Sequence, residues 1–228
     1  MKNKDQLLKR RKEVKSLLQK LQVKHISSIF KNYCDNKSIV LEVGCGYGFF
    51  SEIVSQYCSS LYATDINDYF PSSLKKKKKI KYYKNVDAQK LPYKNNYFDI
   101  VYSIDVVEHI ENDIAFINEN LRVLKKGGKL IIGTPNRNRL INFILKKLKR
   151  ERKYPLCVGK DMVGNDVIHL REYYLDEIMN LLNKSSYNIK IEKIRGLSFG
   201  ILGHFEIPCP LFLLKYCQFW LIVIKKCN

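Results

Sequence analysis

The sequence lacks the cysteine pairs from which structural zinc sites are usually built. Its seven cysteines, at positions 34, 45, 58, 157, 209, 217 and 227, include no C-x-x-C pair and no other zinc-type spacing. We therefore expect no metal centre, and we expect the reduced thiols that are typical of intracellular proteins. Cys209, which stands between two prolines near the end of the chain, is interpreted as a buried structural residue.

The chain also lacks an apolar leader, an obvious linker and an internal repeat. It begins with charged amphipathic sequence, unlike a secretory signal. Its 228 residues are enough for one domain with a substantial core. These features predict a single cytoplasmic domain over residues 1–228, and contact with a membrane surface stays an open alternative. They do not predict an oligomeric state.

Negative charge is scarce, because 41 lysines and arginines face only 22 acidic residues, which gives a net charge of +19. Such an excess fits nucleic acid, an anionic membrane surface or a lysine-rich composition without a binding role. The densest run, Lys75 to Lys79, is interpreted as a solvated, mutually repelling face. Nucleic acid is therefore an open partner but not the favoured one.

Long hydrophobic runs are also few. Residues 207–224 are largely apolar, but Pro208, Pro210 and Lys215 interrupt them, and the length is marginal for crossing a bilayer. We expect a short apolar helix over residues 207–217 and a strand ending at Lys226. A membrane span is the competing interpretation.

The most informative sequence present is V-L-E-V-G-C-G-Y-G at residues 40–48. An apolar run over residues 39–43 predicts a buried parallel strand, and the alternating glycines let a backbone approach a ligand closely. A dinucleotide fingerprint would need glycine where Phe49 stands. Glu42 would repel a phosphate and suits a ligand with an ammonium or sulfonium group. The motif therefore predicts a nucleotide-type cofactor that carries positive charge.

With this motif the chain resembles the class I S-adenosylmethionine-dependent methyltransferases, whose first motif is an acidic residue followed by G-x-G-x-G. Blocks at residues 61–66, 86–93, 97–110 and 121–136 are similar to the subgroup of quinone and other small-molecule methyltransferases. The resemblance implies S-adenosyl-L-methionine as cofactor. It also implies a Rossmann-like, doubly wound α/β fold with a seven-stranded, mostly parallel sheet, an antiparallel last strand and helices on both faces.

The resemblance also implies cofactor contacts. Glu42 would serve the methionine end of the cofactor, and Asp65, which comes 21 positions after Gly44, would accept hydrogen bonds from the ribose hydroxyls. Asp87 would accept from the adenine amine, or would only be the N-cap of a helix that follows. The complete predicted set is Glu42, Gly44, Cys45, Gly46, Gly48, Asp65, Ile66, Asp87, Ala88, Ser103 and Asp105.

Two histidines are candidates for the base that removes a proton from the acceptor. His109 follows the fourth predicted strand, and it is alternatively a histidine that packs at a helix end. His169 lies in V-I-H-L-R-E-Y, which is similar to an H-x-R-x-[F/Y] element of the subgroup, and it is preferred. Arg171 and Tyr173 would bind the acceptor, unless Arg171 pairs with Glu172 or Asp176.

The alternation of apolar periodicities predicts the order of the elements. One or two helices over residues 5–33 belong to an N-terminal extension, residues 1–37. Residues 137–173 form an insertion, which with the apolar segment 197–217 would enclose the acceptor. The remaining predictions are strands at 39–43, 60–65, 81–85, 98–103, 129–134 and 188–195, helices at 48–57, 112–124, 138–153 and 175–183, and a glycine-containing loop at 154–170.

Two missing motifs narrow the chemistry. No [N/D]-P-P-[Y/F] group follows the fourth strand, and no cysteine nucleophile lies in the strands that would catalyse cytosine methylation. The sequence predicts methyl transfer to a small-molecule, lipid-linked or glycan acceptor, with oxygen as the favoured atom. The alternatives are an RNA methyltransferase that uses the basic surface and a non-catalytic binding module that keeps the fold.

Overall fold

The computed structural model describes residues 17–161, 164–197 and 211–227. Nine strands lie in this part of the chain, and they form one large sheet and a separate hairpin. The strands are β1 (Ile39–Val43), β2 (Ser60–Asp65), β3 (Ile80–Lys84), β4 (Phe98–Ile104), β5 (Leu124–Pro135), β6 (Leu156–Lys160), β7 (Asp166–His169), β8 (Ile189–Leu197) and β9 (Phe219–Lys226). The helices are α1 (Leu17–Tyr33), α2 (Phe49–Val54), α3 (Ser72–Lys75), α4 (Asp113–Val123), α5 (Leu140–Lys147) and α6 (Leu175–Asn183), with 3₁₀ turns at Val107–His109 and Leu211–Tyr216.

The large sheet has the strand order β3-β2-β1-β4-β5-β9-β8. The first five strands run parallel to one another, and β9 is antiparallel to both β5 and β8. The predicted doubly wound α/β fold with an antiparallel last strand is therefore confirmed. Because the order reverses between β1 and β4, their carboxyl ends border a crevice of the kind in which α/β proteins bind ligands.

Apolar cores cover both faces of this sheet. On one face Phe116 and Leu121 of α4 and Leu182 of α6 are fully buried against the strands. On the other, Ile29 and Phe30 of α1 are buried against the central strands. The strands are apolar along nearly their whole length because both of their faces are covered.

Several predicted boundaries change. The helix predicted at 138–153 ends at Lys147, and Lys149 has a left-handed backbone with φ 57°, which stops the helix. Residues 154–170, predicted as a loop, contain the antiparallel β6–β7 hairpin. The helix predicted at 48–57 spans only Phe49–Val54. The strand predicted at 129–134 extends over Leu124–Pro135. The part of the first helix before residue 17, and residues 198–210 with Cys209, lie outside the described residues.

The apolar C-terminal sequence forms part of the sheet. Phe219–Lys226 is the strand β9, fully paired between β5 and β8, so the alternative of a membrane-spanning helix over residues 207–224 was wrong. Leu211–Tyr216 forms a 3₁₀ turn where a short helix was expected. Among the described residues, no helix has the length and apolar character needed to cross a bilayer.

Candidate functional site

The glycine loop after β1 turns sharply because all three of its glycines have left-handed backbones, with φ values of 77° at Gly44, 48° at Gly46 and 72° at Gly48. Their surroundings differ. A Cβ atom at Gly44 would lie 2.3 Å from Val106 Cγ2, and one at Gly48 would lie 2.6 Å from Leu74 Cδ1. A Cβ at Gly46 would meet no atom within 4 Å. Gly46 is therefore the glycine that leaves open space for a ligand, whereas the other two allow close packing of the protein.

Asp65, at the carboxyl end of β2, holds this loop in place. Its Oδ2 accepts a hydrogen bond of 2.8 Å from the Gly46 N–H, and its Oδ1 accepts one of 2.8 Å from the Asn67 N–H. The adjacent Ile66 is 59% exposed, although large aliphatic side chains are usually buried. A carboxylate with spare lone pairs, an exposed apolar side chain and the open space at Gly46 together suit a ribose and an adenine ring.

Glu42 lies at the end of β1 and is 3% exposed. Its carboxyl group accepts a hydrogen bond from the Ser51 hydroxyl of α2. Burial raises the pKa of Glu42 to about 8, and the charge of Asp65 acts in the same direction. A cationic group near Glu42 would restore its ionised form, which fits the predicted position beside the positively charged end of a cofactor.

Asp87 and Ala88 follow β3 in a tight turn. Oδ1 of Asp87 accepts a hydrogen bond of 2.8 Å from the Gln89 N–H, so Asp87 caps this turn, and the helix that the alternative interpretation expected after it does not form. The side chain is exposed, and Ala88 beside it is buried. The remaining acceptor positions of this carboxylate are available to a ligand.

Ser103 and Asp105 lie at the carboxyl end of β4. Ser103 is 1% exposed, and its Oγ has no hydrogen-bond partner among the described residues. Asp105 has a left-handed backbone with φ 56°, which is uncommon for a residue other than glycine and typical of functional sites. Desolvation by the surrounding protein raises the pKa of Asp105 to about 6, although its side chain reaches solvent, and the charge of His169 and a hydrogen bond to Glu108 lower it in part.

A cavity of about 600 Å³ opens beside Asp105, over the ends of β4 and β5. We call it the β4–β5 cavity. The apolar part of its lining comes from the sheet and from the hairpin, and most of the polar part comes from the insertion. Its lining residues are Asp105, Pro135, Arg139, Arg152, Leu156, Cys157, Val158, His169, Glu172, Gln218 and Phe219. Residues of the insertion 137–173 therefore line a cavity, and the role of the insertion and of segment 197–217 in enclosing the acceptor stays a prediction.

His169 lines this cavity, and Glu172 fixes the orientation of its ring. Nδ1 of His169 lies 2.9 Å from Oε1 of Glu172. Glu172 also accepts hydrogen bonds from both terminal nitrogens of Arg139, at 2.5 and 3.0 Å, and from the Tyr154 hydroxyl at 2.6 Å. Burial opposes ionisation of Glu172, but the hydrogen bonds and the Arg139 charge lower its pKa to about 2. A carboxylate anion thus faces Nδ1, which leaves Nε2 of His169 as the acceptor nitrogen.

The second candidate histidine, His109, lies behind His169. The two ring centres are 4.8 Å apart, and Nδ1 of His109 lies 2.6 Å from the carbonyl oxygen of Ile168. Burial lowers the pKa of His109, and the adjacent His169 lowers it further. His109 does not line the β4–β5 cavity.

Arg171 and Tyr173 point to a different partner from those predicted. Nη1 of Arg171 and the hydroxyl of Tyr173 both bond to Oδ2 of Asp113, at 2.8 and 2.9 Å. The expectation that Arg171 pairs with Glu172 or Asp176 was therefore wrong, because Glu172 is occupied by Arg139 and His169. Both side chains hold the end of the insertion against α4, and their role in acceptor binding stays a prediction.

Sequence reasoning gave no role to Arg139, Arg152 or Tyr154, and it treated Glu108 only as part of a family motif. Glu108 is fully buried, and its Oε2 accepts a hydrogen bond of 3.0 Å from Thr134. Burial raises the pKa of Glu108 well above its usual range, and the charge of Asp105 adds to this effect. The spacing of Glu172 three residues after His169 is the one sequence signal that pointed to their pairing.

Comparison with known proteins shows that part of the chain is similar to a known domain family. A family model described as a methyltransferase domain matches residues 41–132, a range that contains the glycine loop, Asp65, Asp87 and Asp105.

Three curated proteins are similar over larger parts of the chain. The uncharacterized protein MJ0638 of Methanocaldococcus jannaschii is 26% identical over 88% of this chain and 76% of its own. A probable S-adenosylmethionine-dependent methyltransferase of Mycolicibacterium smegmatis is 26% identical over 66% of this chain. The aligned part covers 52% of that protein's own length. A ubiquinone biosynthesis O-methyltransferase of Pelagibacter ubique is 26% identical over 72% of this chain and 67% of its own.

Among solved structures, the N-methyltransferase NodS of Bradyrhizobium japonicum, crystallised with S-adenosyl-L-homocysteine, superposes with a TM-score of 0.63. The alignment covers 94% of this chain and 90% of NodS at 13% identity. At that identity the likeness concerns the fold.

Proposed function

Because the chain belongs to the class I S-adenosylmethionine-dependent methyltransferases, we propose that it methylates an oxygen atom of a small-molecule, lipid-linked or glycan acceptor in the β4–β5 cavity. When bound, S-adenosyl-L-methionine supplies a methyl group on a positively charged sulfur, which keeps the carbon–sulfur bonding electrons. The protein must then align the acceptor hydroxyl and provide an exit for its proton.

The residues that would hold the cofactor fit it in shape and in charge. Gly46 leaves open space at the glycine loop, and Asp65 lies beside that space with acceptor capacity for ribose hydroxyls. Ile66 is exposed next to Asp65 and would cover one face of an adenine ring. The unpartnered Oγ of Ser103 would complete the site near the end of β4.

The β4–β5 cavity has the character of a site for a partly apolar molecule. Leu156, Val158 and Phe219 supply apolar side chains to its lining, and Arg152 supplies a cation. No hydrogen bond or ion pair of the Arg152 side chain is found within the described part of the chain. We infer that Arg152 contacts an anionic or polar group of the acceptor.

His169 is the side chain in this cavity best oriented to accept a proton. Its Nδ1 faces the anionic Glu172 at 2.9 Å, so Nδ1 carries the hydrogen and Nε2 offers a lone pair. A histidine that is oriented by a carboxylate is a recurring arrangement in general-base catalysis. This contact, together with the position of His169 in the cavity lining, is the observation that carries the proposal of an acceptor atom that loses a proton on methylation, as a hydroxyl oxygen does.

One curated relative favours oxygen as the methylated atom. The Pelagibacter relative acts in ubiquinone biosynthesis as an O-methyltransferase by its name, whereas NodS is an N-methyltransferase. An amine acceptor would also need to lose a proton, so nitrogen is the second candidate atom.

The test uses the purified chain with S-adenosyl-L-methionine labelled in its methyl group. Phenolic and quinol-type compounds, lipid extracts, sugars and RNA are offered as acceptors, and the labelled product is identified by mass spectrometry. We expect label in an O-methyl group of a small or lipid acceptor. Binding of S-adenosyl-L-homocysteine without transfer to any acceptor would instead support the non-catalytic alternative.

RNA is the rival acceptor because of the net charge of +19. The run Lys75 to Lys79 is exposed, as expected for a solvated face, and it lies beyond β2, away from the β4–β5 cavity. Methyl incorporation into RNA that falls steeply with ionic strength would favour this rival over the small-molecule proposal.

A further inference from the structure

We propose that Glu108, His109 and His169 form a binding site for one divalent transition-metal ion. One ligand atom from each of these three side chains lies within 4.8 Å of the other two. Ligands that share an ion at about 2.1 Å lie roughly 3 to 3.5 Å apart. The ligand atoms would therefore need to move by only about 1 to 2 Å, by side-chain rotation, to bind one ion.

The hydrogen bonds of the two histidines leave the same nitrogen of each ring available. Nδ1 of His109 faces the Ile168 carbonyl oxygen at 2.6 Å, and Nδ1 of His169 faces the Glu172 carboxylate at 2.9 Å. Both partners only accept, so both Nδ1 atoms carry hydrogen and both Nε2 atoms offer a lone pair. Histidines that bind metals usually donate their other N–H to a carbonyl or a carboxylate in this way.

Glu108 provides an independent reason to expect a cation. It is fully buried, its Oε2 accepts a hydrogen bond from Thr134, its Oε1 accepts none from the described residues, and its carboxyl group lies beside that of Asp105. A buried carboxylate oxygen without a donor is costly. An ion shared with the two histidines would satisfy this oxygen.

The ligand set selects the class of ion. Two imidazoles and one carboxylate suit Zn²⁺, Co²⁺, Mn²⁺ or Fe²⁺, whereas Mg²⁺ prefers a shell of oxygen atoms. Since His169 lines the β4–β5 cavity, the ion would have a coordination position open to that cavity.

The role of the ion in catalysis rests on the proposed function, although the binding site does not. An acceptor hydroxyl that coordinates the ion would lose its proton more readily, and the proton would pass to water in the open cavity. Nε2 of His169 would then be a ligand and not the proton acceptor. The two roles of His169 therefore differ in one measurable respect, which is whether methyl transfer requires the metal.

The experiment starts from full-length protein freed of metal by a chelator and titrated with Co²⁺, whose visible absorption reports coordination. Atomic emission measures the metal content, and S-adenosyl-L-homocysteine binding shows that the protein is intact. The variants are His169→Ala, His109→Gln and the isosteric Glu108→Gln, with His25→Ala as the matched control. A Glu172→Gln variant tests the outer partner of His169.

We expect one Co²⁺ per chain, a loss of at least about 100-fold in affinity when a ligand is replaced, and a loss of about 10- to 100-fold for Glu172→Gln. His25→Ala should bind as the wild type does. Substoichiometric binding, or equal binding by the ligand variants, would overturn the site. If the metal binds but metal-free protein transfers methyl groups at the full rate, its catalytic role is overturned. If the metal binds and no acceptor is methylated, the proposed function fails and the site stands.

Discussion

Arg139 and Glu172 form a two-point ion pair that joins the start of the 137–173 insertion to its end. Nη1 and Nη2 of Arg139 lie 2.5 and 3.0 Å from the two carboxylate oxygens, and the Glu172 side chain is fully buried. A second link lies beside it, where the Arg137 N–H donates to the Tyr173 carbonyl oxygen at 2.9 Å. Because Glu172 also contacts His169, one carboxylate both closes the insertion and orients the histidine.

Replacing Arg139 by methionine should destabilise the protein. The change would leave Glu172 buried with fewer donors, and breaking a buried ion pair from one side costs about 3 to 5 kcal/mol. Chemical denaturation should show this decrease in the free energy of unfolding. Arg150→Met, at an exposed position of the same insertion, is the control and should change stability by less than about 0.5 kcal/mol. An unchanged stability of Arg139→Met would show that this ion pair does not hold the insertion.

The main sheet could be predicted from the sequence, but the insertion could not. Buried parallel strands are short apolar runs bounded by turns, and β1 and β2 were predicted with the bounds that the structure shows. The β6–β7 hairpin is instead mostly exposed, and its two short strands lack the regular alternation of apolar and polar residues that marks a half-buried strand. The Arg139–Glu172 pair could not be predicted from the sequence either. Its two residues are 33 positions apart, and nothing in the local sequence around one of them requires the other.

Two glycine variants should separate ligand binding from packing. Gly46→Ala should fold, since its Cβ meets open space and a left-handed alanine costs roughly 1 to 2 kcal/mol. It should nevertheless bind S-adenosyl-L-homocysteine at least about tenfold more weakly, a loss of about 1.4 kcal/mol, because the methyl group enters the ligand space. Isothermal titration calorimetry measures this affinity.

Gly48→Ala is the matched comparison, because its Cβ would lie within 2.7 Å of Leu74 and Phe70. It should lower the melting temperature more than Gly46→Ala does. If both variants lose stability equally while both keep full affinity, Gly46 does not face the cofactor. The sequence predicts the three glycines as one motif, and only the positions of Val106, Phe70 and Leu74 in the fold distinguish their roles.

Glu42→Gln should remove a pH dependence of stability. The ordinary pKa of a glutamate is near 4.5, and burial raises that of Glu42 to about 8. Between these values the unfolded chain loses its proton first, so the folded state binds more protons and stability falls as pH rises. Without cofactor, the free energy of unfolding of the variant should be closest to that of the wild type at pH 5 and should exceed it increasingly up to pH 8. The full difference should be about 1.4 kcal/mol for each unit by which the pKa of Glu42 differs between the folded and unfolded wild type.

Thermal melts of both proteins at several pH values measure this difference. The comparison between the two cancels the titration of all other groups, since those groups are shared. A stability difference that does not change between pH 5 and pH 8 would contradict the raised pKa of Glu42.

Asp65→Ala should weaken S-adenosyl-L-homocysteine binding by a few kcal/mol at most, about the value of lost charge-assisted hydrogen bonds. Part of this loss would come from the glycine loop, because Asp65 also accepts from the Gly46 N–H at 2.8 Å. Asp65→Asn keeps one acceptor oxygen and should bind with intermediate affinity. Asp68→Ala, which removes an exposed carboxylate paired with Lys75, is the control. Equal affinities of Asp65→Ala and Asp68→Ala would exclude Asp65 from the cofactor site.

Leu156→Trp should block the acceptor while leaving the cofactor site intact. Leu156 lines the β4–β5 cavity from β6, and a tryptophan there would fill part of its volume of about 600 Å³. We expect S-adenosyl-L-homocysteine to bind with wild-type affinity and the Michaelis constant for the acceptor to rise at least about tenfold, because the acceptor loses space but the cofactor does not. Ile168→Trp is the matched control, since Ile168 lies on the same hairpin, is 38% exposed and does not line the cavity. If both variants methylate the acceptor as the wild type does, the acceptor binds elsewhere, and a basic surface that contacts RNA becomes the better explanation.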